Sequence, residues 1–258
     1  MIDYLAEYER VSGAFSAEMQ KHEDVEGVVF LGGVARSRAD VYSDIDIAVF
    51  SDHKLGWLTT GEQETPEGYD LEVFNIVMEK GFEDWDEIKK EAYQEGKIDF
   101  DRSGKTEAFL NNALAYSDDL QAQKCAELIF AIAWHGWIYT PFRNQTAKGY
   151  RWLLTEKLWF YRGEEKNAFY TTRYCVDLFI ELLFAINKRW TPDYKWRYIR
   201  SRSLPWLPEH YEDDIDSLLF GAYSQQTWQE QSEKFQALID QAVSKASEYL
   251  PDDWYSLI

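Results

Sequence analysis

Apolar residues recur at helical spacing over residues 3–21, where Leu5, Tyr8, Val11, Phe15 and Met19 share a face; the pattern predicts an opening helix. The period then changes. Val25-Glu26-Gly27-Val28-Val29-Phe30-Leu31 is a β-rich run that stops at Gly32-Gly33. Ile45 to Phe50 is a second apolar run, broken by Asp46, and Tyr69 to Val77 is a third candidate strand. A fourth and shorter one, Lys97 to Phe100, is closed by the turn signal Asp101-Arg102-Ser103-Gly104. Residues 82–95 between the last two have helical spacing. After about residue 106 the strand signals cease, and residues 106–116, 119–139, 147–162, 166–189 and 225–249 all read as helices. Pro141, Pro192, Pro205 and Pro208 fall between these stretches, where helices stop. The expected fold class is α+β: a small mixed sheet with flanking helices over 1–105, then an all-α helical bundle over 106–258.

Composition narrows the functional classes. With 45% hydrophobic and 17% aromatic residues, the 258-residue chain can bury a sizeable core. No run of 18 apolar residues is present, so no membrane span is expected. The N-terminus lacks the basic and apolar regions of a signal peptide, and two cysteines, Cys125 and Cys175, cannot build a disulfide framework. Both read as core thiols, and a reducing, cytoplasmic compartment is the expectation. The formal net charge of −19 repels phosphate backbones, which argues against broad nucleic-acid binding and favours a neutral or cationic partner. The charge is uneven. Residues 1–142 carry a net −17 and residues 203–258 a net −9, but residues 143–202 carry +7. That basic stretch balances its acidic neighbours or faces an anion such as a phosphate chain.

Candidate chemistry concentrates in Phe30-Leu31-Gly32-Gly33-Val34-Ala35-Arg36-Ser37 and in Ser43-Asp44-Ile45-Asp46-Ile47, ten residues beyond the glycines. Two glycines at a strand end allow a sharp turn that leaves main-chain N–H groups open to an anion. Strand alternation puts Asp44 and Asp46 on one face, about 7 Å apart, and Ile45 and Ile47 on the core face. Paired carboxylates repel unless they are solvated, protonated or neutralised by a cation, and an oxygen-only donor set suits Mg²⁺ or Mn²⁺. In Gly68-Tyr69-Asp70-Leu71-Glu72-Val73, Asp70 and Glu72 also share a face. Either could join the pair if this strand lies beside the first. Glu72, flanked by apolar residues as Asp46 is, is the better candidate, and a third acid could also take a proton from an attacking hydroxyl.

A Gly-Gly turn, a ten-residue interval, an Asp-x-Asp strand and a later lone acid together resemble the DNA polymerase β-like nucleotidyltransferase superfamily. The likeness extends more weakly to Leu183–Trp196, which is similar to helical domains fused behind small-molecule, antibiotic-type nucleotidyltransferases. The resemblance implies an enzyme that moves a nucleoside monophosphate from a nucleoside triphosphate, such as ATP, to a hydroxyl, releasing pyrophosphate. It implies metal-binding and catalytic roles for Asp44, Asp46 and Glu72, and nucleotide-binding roles for Gly32, Gly33, Ser43 and Lys195. The implied cofactor is Mg²⁺ or Mn²⁺, and the implied acceptor a small hydroxylated molecule. A protein-directed adenylyltransferase and a non-catalytic nucleotide-binding relative are the alternatives. Two positions depart from the family pattern: Gly33 stands where many members have Ser, and Ser37 where many have Gly. No H-E-x-x-H, G-x-S-x-G or P-loop is present, and the four histidines are scattered, with His135 reading as a core histidine.

Overall fold

The computed structural model describes residues 3–135, 159, 162–222, 224, 226–252 and 254. The chain forms two compact units, Met1–Ala115 and Tyr116–Ile258.

The first unit is built on a five-stranded mixed sheet in the order β3-β4-β2-β1-β5. Its strands are β1 (Gly27–Phe30), β2 (Ile45–Ser51), β3 (Gly61–Glu64), β4 (Asp70–Val77) and β5 (Lys97–Asp101). Only β2 and β4 run parallel; β1 pairs antiparallel with β2 and β5, and β3 with β4. Alternation along β2 sorts its side chains between two cores. Ile45, Ile47 and Val49 pack with Val11 and Met19 of α1 (Tyr4–Met19), whereas Ala48 and Phe50 pack with Tyr93 and Leu110 on the other face. That second face is covered by α3 (Glu87–Gln94) and α4 (Lys105–Ala113). Both faces are thus buried, which is why the interior strand β1 is buried at all four positions. α1 starts at Asp3, whose carboxylate accepts from the Ala6 amide, and α3 starts at Asp86, which accepts from Lys89. The acid run Glu83–Glu87 therefore serves a helix start. α2 (Gly32–Ala35) is a single turn directly after β1.

Three of these features differ from the sequence expectation. β3 was not foreseen, because Gly-Glu-Gln-Glu at a sheet edge has no buried face to impose an apolar rhythm. The helix over 82–95 is shorter, with a 3-10 turn at Met78–Lys80 and α3 beginning only at Glu87. The 106–116 stretch, read as the start of the helical part, is α4, and its Leu110 and Ala113 pack on the sheet.

The second unit contains α5 (Asp118–Trp134), α6 (Glu165–Ile186), α7 (Tyr194–Ser201), α8 (Tyr211–Phe220) and α9 (Trp228–Ala246). α6 is buried almost all round from Leu178 to Ile186, so it is the central helix. Phe179 meets Phe235 of α9 edge-on, at 5.7 Å between centroids. Buried Gln121 of α5 donates to the Ile186 carbonyl (2.8 Å), satisfying the C-terminal end of α6. α7 and α8 went unseen in the sequence, being short and hemmed in by Pro192, Pro205 and Pro208, with α7 rich in tyrosine and arginine and α8 opening on a run of acids. The stretch 147–162 and Pro141 lie, apart from Trp159 and Arg162, outside the described residues. Cys125 and Cys175 are fully buried, and burial pushes the Cys125 thiol up to about 12, so it stays protonated and inert. His135 is half-buried at the end of α5, edge-on to Tyr174, rather than within the core. Among the described residues, no helix is long and apolar enough to cross a membrane.

Candidate active site

The parallel pairing of β2 and β4 places Asp46 directly beside Glu72, and the antiparallel pairing of β3 and β4 places Glu62 on the other side of Glu72. Three acids thus stand in a row across three strands, an arrangement that costs free energy through like-charge repulsion. Asp44, one residue before β2, joins the end of the row. Asp44, Asp46 and Glu72 each offer a carboxylate oxygen, and the three atoms lie within 4.8 Å of one another. Asp70 stays outside this trio, two residues along β4, although it lines the adjoining pocket.

Burial raises the Glu72 pKa above the ordinary carboxylate value, and Asp44 and then Glu62 push it further the same way. The sign follows. A carboxyl whose folded pKa exceeds its unfolded value stabilises the fold below the unfolded pKa, and that contribution is lost as pH rises through the folded pKa. Without divalent cations, Glu72→Gln is therefore expected to melt at a higher temperature than the native chain at pH 7. The difference should close near about pH 4, where carboxyls protonate. Thermal melts in chelator at the two pH values check this.

The donor set fits a hard divalent cation. All three groups are carboxylates, the oxygens converge, Asp44 is exposed and the other two are half-buried, which leaves room for other oxygen ligands. Beside the trio lies a pocket of about 290 Å³ lined by Tyr42, Asp44, Glu62, Gln63, Asp70 and Glu72. The Tyr42 ring, 94% exposed, stands at this pocket.

The loop between the glycines and the acids is tightly folded. Gly32 adopts φ +55°, and a Cβ there would lie 2.2 Å from Asp46 Oδ2, so only glycine permits this approach. A Cβ on Gly33 would meet the Arg38 carbonyl at 2.9 Å, which is why this loop geometry excludes the serine common at that position. The amides of Gly32, Gly33 and Val34 open the turn of α2 and have no acceptor within it. The Arg36 guanidinium donates to Glu95 (3.0 Å) and lies 3.7 Å from buried Glu91, tying the glycine turn to α3. Ser37 sits at φ +53°, the left-handed region that a side chain disfavours. Ser37→Gly is expected to stabilise the chain by about 0.5–1 kcal/mol, read from denaturant unfolding.

The Ser43 hydroxyl accepts from the Asp40 amide (3.0 Å), so as seen it organises the turn that delivers Asp44. Lys195 belongs to the other unit, exposed in the first turn of α7, with Nζ 5.9 Å from the Trp196 ring centroid.

Residues 14–148, more than half of the chain, match the model of the nucleotidyltransferase domain family. The chain belongs to that family. Nucleotidyl transfer is thus its general chemistry. Among solved structures, a nucleotidyltransferase-like protein from Exiguobacterium sibiricum 255-15 is similar over 93% of this chain and 77% of its own, at 12% identity and a TM-score of 0.44. A search of curated proteins finds no match. The sequence pattern left out Glu62 and Tyr42, which line the pocket. Glu62 hid in an unrecognised edge strand, although Pro66-Glu67-Gly68 was a hairpin signal that could have found it.

Proposed function

We propose that this nucleotidyltransferase moves a nucleoside monophosphate from a nucleoside triphosphate to the hydroxyl of a small, amine-bearing acceptor. The observation that carries the reading is the convergence of Asp44, Asp46 and Glu72 beside a pocket walled by carboxylates. Asp44, Asp46 and Glu72 would hold Mg²⁺ or Mn²⁺. When bound, that cation neutralises triphosphate charge and favours ionisation of the attacking hydroxyl.

The chain's own groups do the rest. The amides of the Gly32-Gly33 turn, which have no acceptor inside α2, donate to phosphate oxygens, and Ser43 holds the loop against them. Glu72, set beside Asp46 in the ladder, accepts the hydroxyl proton as the acceptor oxygen bonds to the α-phosphorus and pyrophosphate leaves. Glu62 and Asp70 add negative charge at the acceptor pocket, which favours a cationic substrate.

The test incubates the full chain with α-labelled nucleoside triphosphates, Mg²⁺ and a panel of hydroxylated amines. Label on a small acceptor with pyrophosphate release supports the reading. Label on a protein band from lysate instead overturns the small-molecule acceptor, and nucleotide binding without any transfer overturns catalysis.

A further inference from the structure

The two acid-bearing segments share one buried support. Tyr8 of α1, 3% exposed, donates its hydroxyl to the Ser43 carbonyl at 2.9 Å, across 35 residues of sequence. That carbonyl belongs to the residue immediately before Asp44. The same ring meets Tyr69 edge-on, with centroids 5.1 Å apart, and Tyr69 immediately precedes Asp70 at the start of β4. One side chain therefore touches both the turn that delivers Asp44 and the lead-in to the strand that carries Glu72.

We infer that Tyr8 is a positioning residue that sets the separation of Asp44 from Glu72 and so the affinity of the carboxylate trio for a divalent cation. The inference rests on the cation-binding reading given above. Its physical basis is geometric. Asp44 lies one residue before β2, at the end of the ladder. The Asp40–Ser43 turn constrains the loop locally, through Asp40 N to Ser43 Oγ and Ser43 N to the Asp40 carbonyl. The bond from Tyr8 ties that turn to the body of the unit. Burial, Tyr4, Tyr69, Asp70 and Asp40 all raise the phenol pKa, so the hydroxyl stays protonated and remains a donor.

Tyr8→Phe removes the donor and keeps the ring, and Tyr4→Phe removes a hydroxyl from the same helix while leaving the Ser43 bond in place. The full chain is titrated with MnCl₂ by calorimetry, and hydrogen exchange is followed separately over residues 40–47 without metal. Tyr8→Phe is expected to raise the Mn²⁺ Kd by ~3–10-fold and to speed exchange of the 43–46 amides, whereas Tyr4→Phe changes neither. A circular dichroism melt accompanies both variants, so that loss of fold is not read as loss of affinity. Native-like Mn²⁺ affinity and exchange in folded Tyr8→Phe overturn the inference alone. Failure of the native chain to bind Mn²⁺ overturns the cation-binding reading, and the inference with it.

Discussion

Asp46→Asn is expected to lower nucleotidyl transfer by about 10³-fold while leaving the melting temperature of the metal-free chain within a few degrees of native. Asparagine has nearly the shape of aspartate, so the packing around position 46 is kept. What changes is charge. Asp46 stands beside Glu72 in the parallel ladder, and Glu72 has Glu62 on its far side. Removing one negative charge from this row relieves repulsion in the empty site and removes a donor oxygen from the trio. The two effects have opposite signs on stability and on activity, which separates this account from one in which Asp46 merely supports the fold. A variant that melts much earlier and loses activity in proportion would point to a structural role. Steady-state transfer rates and thermal melts on the same preparation decide between them.

Gly32→Ala is expected to cost about 1–2 kcal/mol of stability and ~10²-fold in transfer rate. The stability loss comes from the positive φ of +55°. The rate loss has another origin, because the new methyl would stand 2.2 Å from Asp46 Oδ2 and must displace that carboxylate. A shift of the order of 1 Å in a group that orients reacting atoms is enough for a hundredfold effect. Gly56→Ala is the control, since nothing lies within 4 Å of a Cβ there. It should change stability by under about 0.5 kcal/mol and leave transfer unaltered. If Gly32→Ala unfolds early but turns over at the native rate, the close approach to Asp46 has no catalytic meaning.

The sequence carried the local part of this picture and lost the long-range part. Alternation around Ile45 and Ile47 foretold one of the two packed faces of β2, whereas the second core, on the face of Ala48 and Phe50, went unread. The Gly32-Gly33 turn was legible because backbone strain selects residue type locally, whereas the left-handed Ser37 carries no such mark in its own residue type. The choice between Asp70 and Glu72 stayed open because it depends on the register of β4 against β2, and no local signal encodes a parallel pairing across 26 residues. β3 left no rhythm at all, and with it Glu62 was missed. Tyr8 read only as one apolar position of a helix. Its hydroxyl bond to Ser43 depends on how α1 lies on the sheet, and composition says nothing of that.

The central claim is that Asp44, Asp46 and Glu72 jointly hold a divalent cation against a triphosphate. A crystal of the full chain grown with Mn²⁺ and a non-hydrolysable nucleoside triphosphate tests it most directly, through the anomalous signal of the metal. The account predicts a Mn²⁺ peak in contact with all three carboxylates and with phosphate oxygens lying over the Gly32-Gly33 turn. A nucleotide bound elsewhere, or a Mn²⁺ peak that none of the three acids touches, would contradict it.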